Sequence, residues 1–465
     1  MERRKKPNII MIMLDTFRAD YLSDYGGEKR LQFIESIASK STVYKNSYAP
    51  GTYTVPSHAA LFLNKRVVDI RSVLEGHRLK LSVESTGLPQ YIKKGDKTLA
   101  SKLLKLGYET ALFSSNPFIA ERTGFGEGFA VAKDTEGEKA ARESGKGPGM
   151  ADRMLNSEAF MRSVQFASHV IRGKMLDKLF VDFTRRMERQ LASDSGYAGL
   201  DMGAAMLEEM VASHLKNSSA SRPKFMFLNY MEAHEPYPIS KDDIIQGRWL
   251  YMGGLLALDG VKDIKEACFR RLVYLDDKIK KLFTILEDRG FLDNAVVIIT
   301  SDHGQAFMEH GQMYHDLLPY EEMVRIPIIV GRFSGGRQIG SRTVTENPTS
   351  LLEMHRYILD LANGGVVKTS AKNVAFSDHI GTARWWGSDI VKKLRDKSSG
   401  FARINSIMEL SDTKATAVYY KHYKLIHYYG KRHDELFDLL KDRAEVDNII
   451  DKGKRVYAHM LKLLK

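Results

Sequence analysis

Two apolar runs far apart in the chain end alike: Ile9-Ile10-Met11-Ile12-Met13-Leu14 leads into Asp15, and Val296-Val297-Ile298-Ile299-Thr300 leads into Ser301-Asp302-His303. Unbroken apolar runs of this length suit strands buried on both faces of a parallel sheet. Between and beyond them the period switches between that of a strand and that of a helix. Residues 31–40, 98–106 and 269–289 read as helices, the last stopped at Gly290; residues 108–113, 225–230 and 325–330 read as further strands. The alternation predicts an α/β fold over residues 1–340, a doubly wound and mostly parallel sheet flanked by helices. From 341 to 465 the texture changes: 415–420 and 423–429 read as neighbouring antiparallel strands and 448–464 as a closing helix, a smaller subdomain.

An irregular insert at about 133–221 interrupts the alternation. Its residues 136–149, rich in Gly, Lys, Glu and Ser, predict a mobile loop, and 160–191 has helical periodicity with a basic polar face. Such a helix packs on its parent domain or makes peripheral contact with a membrane surface. No internal repeat is present.

With 43% hydrophobic and 28% charged residues the chain is ordinary for a globular protein. The net charge of +12 is spread among interleaved acids, and no nucleic-acid recognition module accompanies it; it suits attraction of anionic substrates. One cysteine, Cys268, excludes an internal disulfide framework. Pro7 and Asp15 cut the first apolar stretch short of a signal-peptide core, and no run reaches the roughly 18 apolar residues of a transmembrane helix. The expectation is a cytoplasmic protein, of an oligomeric state that the sequence leaves open.

Ligands in sheets of this kind sit outside the carboxyl ends of the strands. Asp15, Asp302 and His303 therefore converge on one edge and supply hard oxygen ligands with one imidazole, suited to zinc, manganese, magnesium or calcium. In Thr52-Tyr53-Thr54-Val55-Pro56-Ser57-His58, Pro56 opens a helix and Thr54 sits just before its N-terminus. A hydroxyl there is either a simple N-cap or, beside a divalent ion, a nucleophile.

Taken in order, these segments resemble the sulfatase branch of the alkaline phosphatase superfamily over most of the chain. Pro7-Asn8-Ile9 through Asp15-Thr16-Phe17-Arg18-Ala19-Asp20 is similar to the family's first strand and metal-binding turn, and Thr54-Val55-Pro56-Ser57-His58 to its nucleophile motif. Ser114-Ser115-Asn116-Pro117-Phe118, Asn229-Tyr230-Met231-Glu232-Ala233-His234-Glu235-Pro236-Tyr237 and Tyr274-Leu275-Asp276-Asp277 follow. Ser301-Asp302-His303-Gly304-Gln305, Glu309-His310-Gly311 with His315, Tyr320-Glu321-Glu322, Arg325-Ile326-Pro327 and the closing Glu435-Leu436-Phe437-Asp438-Leu439 complete the set.

The resemblance implies an alkaline phosphatase-like fold and one divalent metal ion held by Asp15, Thr54, Asp302 and His303. It implies Thr54, His234 and His315 as catalytic residues, and His58, Arg18 and His310 as substrate-binding or supporting ones. Arg18 is expected to hold Asp15 or a substrate oxygen. Two departures bear on the chemistry. Sulfatases carry Cys or Ser, converted to a formylglycine hydrate, where this chain has Thr54, and an Arg where it has His58. Threonine cannot yield that aldehyde, and an imidazole does not match a permanently charged guanidinium. Two-metal relatives carry an Asp-x-x-x-His segment, whereas 230–234 reads Tyr-Met-Glu-Ala-His. The reading is an ester hydrolase favouring phosphate mono- or diesters, on a small anionic, glycan-borne or lipid-linked substrate. Its rivals are a sulfuric ester hydrolase, a phosphoglycerol-type transferase and a non-catalytic anion-binding protein.

Overall fold

The computed structural model describes residues 5–28, 30–80, 90–143, 200–216, 218, 222–235, 237, 258–315, 317–364, 373–381, 413–431 and 433–464. The expected helix at 160–191 lies outside them. The main sheet runs, in spatial order, Thr343–Thr345, Thr42–Tyr44, Ile328–Ser334, Asn294–Thr300, Asn8–Leu14, Lys224–Tyr230, Glu109–Ser114 and Val131–Asp134, with Arg337–Ile339 paired to Ile328–Ser334. The five strands from Asn294–Thr300 to Val131–Asp134 are parallel; Ile328–Ser334 runs antiparallel to its neighbours. In register, Met13 lies beside Thr300, so Asp15 and Asp302 leave the sheet together.

The period of two divides the first strand between two cores. Ile9, Met11 and Met13 face a cluster with the helices Thr54–Leu63, Leu99–Lys105 and Leu352–Ala362; Ile10, Ile12 and Leu14 face one with Gln32–Ala38, Ala204–Lys216 and Leu258–Asp288. All six side chains are buried, worth about 1.5–3 kcal/mol each. The carboxylate of Asp276, on the long helix, accepts the N–H groups of Phe33 and Ile34 at 2.8 Å and caps Gln32–Ala38, which has no cap of its own.

Several boundaries differ from expectation for local reasons. Thr98 caps Leu99–Lys105 through Ser101 N at 3.0 Å, as its position predicts. The long helix ends before Gly290, in left-handed conformation with φ 69°, but starts at Leu258, since Ile264, Ala267 and Cys268 continue its buried face. The strand expected at 325–330 is Ile328–Ser334: Pro327 has no N–H for a ladder, and Ile326 N is bonded to Ser47 O at 3.0 Å. Residues 136–143 of the expected mobile loop belong to the helix Thr135–Glu143, held by the Glu138–Arg142 pair and by Asp134 Oδ1, which accepts Gly137 N at 3.0 Å; 144–149 lie outside the described residues. The closing helix is Lys454–Leu463, because Asn448 is used in a turn, accepting Leu436 N and Ile450 N.

Residues 343–362 pack with the large sheet and its helices. Beyond them Val374–His379, Ala415–Tyr420, Tyr423–Tyr428 and Asp434–Asp438 form a four-stranded antiparallel sheet, with Lys454–Leu463 packed through Met460 on Val418, Leu425 and Leu436. This sheet is tied to the segment after Asp302 by charges. Lys424, fully buried, lies 2.6 Å from Glu445 and 3.4 Å from Glu321, and Glu445 Oε2 accepts Glu321 N at 2.7 Å.

Candidate active site

Asp15, Asn116, the 231–235 segment and Asp302 each follow a parallel strand at the carboxyl edge. Thr16 turns the chain with φ 58°, a left-handed conformation costly for a β-branched residue. That turn aims Thr16 N at Asp302 Oδ1, 3.2 Å away, and Phe17 N at Ser301 Oγ, 3.0 Å away. Asp302 Oδ1 also accepts His303 N at 2.9 Å. Gly304 is required by close approach: its N–H bonds Met323 O at 2.7 Å, and a Cβ there would lie 2.1 Å from Glu322 O.

The outcome is a fully buried group of Asp15, Asp302 and His303 with atoms aimed at one point. Asn116 donates to Asp15 Oδ2 at 2.7 Å, and His303 Nδ1 donates to Gly304 O at 2.8 Å, leaving Nε2 a lone pair. Asp15 Oδ1 and Asp302 Oδ2 accept no hydrogen bond among the described residues and lie 3.8 and 3.5 Å from His303 Nε2. Burial, and for Asp15 also the charge of Asp302, pushes both carboxyls up; burial and His315 press His303 down to about 3. Two orphaned carboxylate oxygens and an imidazole lone pair form a donor set that fits a divalent cation.

Thr54 is the first residue of its helix, not the residue before it, and Tyr53 supplies no side-chain cap. Its Oγ1 lies 3.2 Å from His303 Nε2, at a helix start whose first N–H groups have no partner within the helix. His58, one turn on, is fully buried behind Thr54 against Phe62, Phe125 and Phe227. Its Nδ1 is 2.9 Å from Thr54 O and 3.5 Å from Asp302 Oδ2, and its Nε2 is 3.2 Å from Asn229 Nδ2. It braces the site from the inside.

His234 and His315 stand across the edge with ring centroids 4.8 Å apart, and His315 is 5.0 Å from the His303 ring. Between them Glu235 Oε2 is 3.5 Å from His234 Nδ1 and Oε1 is 3.4 Å from His315 Nδ1. Burial favours the neutral acid, but the two histidines outweigh it and hold Glu235 well below the usual carboxylate range. Glu232 takes a different part: it accepts the N–H groups of Met202 and Ala204 at 3.0 and 2.9 Å and caps Ala204–Lys216, and burial raises it to about 7.

Two expected residues face elsewhere. Arg18 does not hold Asp15; its guanidinium pairs with Asp20 at 2.6 Å and Glu309 at 3.0 Å and donates to Gln305 O at 3.0 Å, because those acceptors surround it. His310 stacks on Tyr320, 3.8 Å between centroids, and pairs with Glu322 at 2.9 Å. Burial opposes its charge, yet Glu322 raises it to about 9. Both line a cavity of about 1110 Å³ between the catalytic edge and the C-terminal sheet, shared with Glu435 and Arg443 and containing neither Thr54 nor Asp302. Sequence reasoning did not single out Asn116, Asn229 or Glu235, although each lies inside a matched motif at the strand edge.

The family model described as Sulfatase matches residues 7–365. The chain belongs to the sulfatase family. Of this sulfatase-family chain, 96% aligns with 90% of the arylsulfatase of Clostridium perfringens (strain 13 / Type A) at 21% identity. Its fold is shared with a 2-O GAG sulfatase, at a TM-score of 0.63 and 16% identity over 99% of this chain and 91% of that one. It is equally shared with the phosphonate monoester hydrolase of Agrobacterium radiobacter, at a TM-score of 0.62 and 15% identity over 99% and 95%. The enzyme is thus an ester hydrolase of the sulfatase family with the expected alkaline phosphatase-like architecture, and enzymes of this family depend on a divalent metal ion. Among the described residues, no helix is long and apolar enough to cross a membrane.

Proposed function

We propose that this sulfatase-family enzyme cleaves phosphoric esters, mono- or diesters of a small, glycan-borne or lipid-linked alcohol, with Thr54 as nucleophile. The observation that carries the reading is the position of Thr54 Oγ1, 3.2 Å from His303 Nε2 at a helix start and beside the orphaned oxygens of Asp15 and Asp302. Asp15, Asp302, His303 and Thr54 would hold one divalent ion, which when bound supplies positive charge that lowers the hydroxyl pKa and offsets the ester's negative oxygens.

Thr54 Oγ1 attacks phosphorus in line as the bond to the ester oxygen breaks opposite. The N–H groups at the start of Thr54–Leu63 receive the non-bridging oxygens. His234 and His315, on the facing side, meet the departing oxygen with a proton or with positive charge. Water then cleaves phospho-Thr54, or an acceptor alcohol takes the phosphoryl group. Support for phosphorus over sulfur comes from Thr54 itself, which cannot become the aldehyde hydrate that eases release of sulfate. The sulfuric ester reading is supported by the arylsulfatase among its relatives. Kinetics on a phosphate and a sulfate ester of one alcohol decide between them; faster turnover of the sulfate overturns the phosphoric reading.

A further inference from the structure

The loop that leads into Thr54 is seated on a strand of the C-terminal sheet. Along Val374–His379, Ser377 Oγ donates to Ala49 O at 2.6 Å, Asp378 N donates to Pro50 O at 2.8 Å, and Gly51 bridges Asp378 in parallel register. The row ends with His379, whose Nδ1 lies 3.0 Å from Thr52 Oγ1; the imidazole is fully buried and Thr52 is 1% exposed. Either partner left alone in such a place bears the full cost of its desolvation, so the pair holds together. Asp378 also pairs with Arg66, just past the end of Thr54–Leu63, so one strand meets the chain on both sides of that helix.

Backbone contacts hold residues 49–51, but the direction of a helix start is set by the residues that turn into it. Tyr53, just before Thr54–Leu63, is extended at φ −158° and ψ 172° and supplies no side-chain cap, so the helix does not itself fix the way Thr54 enters it. Thr52 has the side-chain anchor. We propose that His379 is a positioning residue for the nucleophile: by holding Thr52 Oγ1 it sets the turn through residues 52–54, and with it the aim of the Thr54 hydroxyl at the reacting atom. The inference rests on the proposed role of Thr54 and deepens it, since it makes the last strand residue before the edge of the C-terminal sheet part of the geometry of attack. Misplacing a reacting atom by about 1 Å costs on the order of a hundredfold in rate, whereas substrate contacts made by other groups are untouched, so the effect belongs to kcat and not to KM.

The test uses the full chain and whichever of a matched phosphate and sulfate ester it turns over faster. Thr52→Val deletes the hydroxyl and keeps the shape of the side chain. At a temperature where circular dichroism shows it folded, it is expected to lower kcat by about 10- to 100-fold with KM within about twofold of wild type. Thr52→Ser should restore most of kcat, and His379→Asn, which keeps a polar atom close to the position of Nδ1, should lose less than His379→Leu. Adding His379→Leu to Thr52→Val should cost little beyond Thr52→Val alone, because both act through one bond. An unchanged kcat in Thr52→Val, even with a lower melting temperature, overturns the inference and leaves His379 a structural residue; so does a rise in KM alone, or full additivity in the double variant. Should His379→Leu not fold, the Thr52→Val and Thr52→Ser pair decides. Thr54→Ala is assayed beside them: full activity there overturns the nucleophile itself, whereas an inactive Thr54→Ala with wild-type kcat in Thr52→Val overturns only the positioning role.

Discussion

Nε2 of His303 stands 3.2 Å from Oγ1 of Thr54 across 249 residues of chain. The contact joins a strand end to a helix start, each held by its own backbone, so the hydroxyl and the ligand atoms meet without a flexible loop between them.

If that meeting point is the metal site, chelation should lower the melting temperature. A ligand at a hundred times its Kd stabilises the folded state by about 2.7 kcal/mol. Asp302→Asn should abolish the metal-dependent shift in a thermal melt; a shift equal to wild type would contradict the ligand assignment.

Thr54→Ala should keep the fold, with stability within about 1 kcal/mol of wild type, since Thr54 caps nothing. Turnover should fall by on the order of a thousandfold, and Thr54→Ser should recover part of it. Retained activity in Thr54→Ala would assign attack to water.

Phosphate esters should exceed the matched sulfate ester in kcat/KM by at least about tenfold, roughly 1.4 kcal/mol of transition-state preference. Parallel rate measurements with one leaving group and one metal settle the order.

Asn116→Ala removes the donor that orients Asp15 at 2.7 Å. Metal affinity should drop by about 10- to 100-fold, the usual effect of losing such a partner. Isothermal titration measures it, and unchanged affinity would show that Asp15 needs no orienting.

His310 gives a pH dependence of known sign. Its folded pKa of about 9 lies above the ordinary 6.5 because Glu322 outweighs burial, so its stabilisation is full below 6.5 and is lost as pH rises through 9. Glu445, raised by burial to about 8 despite Lys424, adds a loss of the same sign above its ordinary 4.5. Stability should fall between pH 6.5 and 9, by up to about 3 kcal/mol for His310 alone, and the melting temperature with it. In His310→Gln the slope should be shallower; identical slopes would exclude the histidine.

Those elements that carry strong period and end in chemistry were legible: the strands before Asp15 and Asp302 and the helix at Thr54. The strand Thr42–Tyr44 escaped because three residues carry no period, and its burial comes from Ile328–Ser334 and Thr343–Thr345 on either side. The direction of Ile328–Ser334 depends on where the chain returns, which local composition does not record. That Arg18 meets Glu309 rather than Asp15 was not legible, since Glu309 reaches it from a loop remote in sequence. Glu235 was passed over because its meaning lies in the distance to His315.

The buried lysine of the C-terminal sheet carries a lesson about where sensitivity resides. Lys424 neutralises Glu321 and Glu445, and Glu321 belongs to the short helix that backs Gly304 through Glu322 and Met323. Replacing Lys424 leaves the buried Glu445 without its cation, takes from Glu321 a charge that it otherwise shares with Arg443, and loosens the floor beneath His303. A tolerance map drawn outward from Thr54 by distance would rank that position as peripheral, whereas mutation there should behave as though it struck the centre.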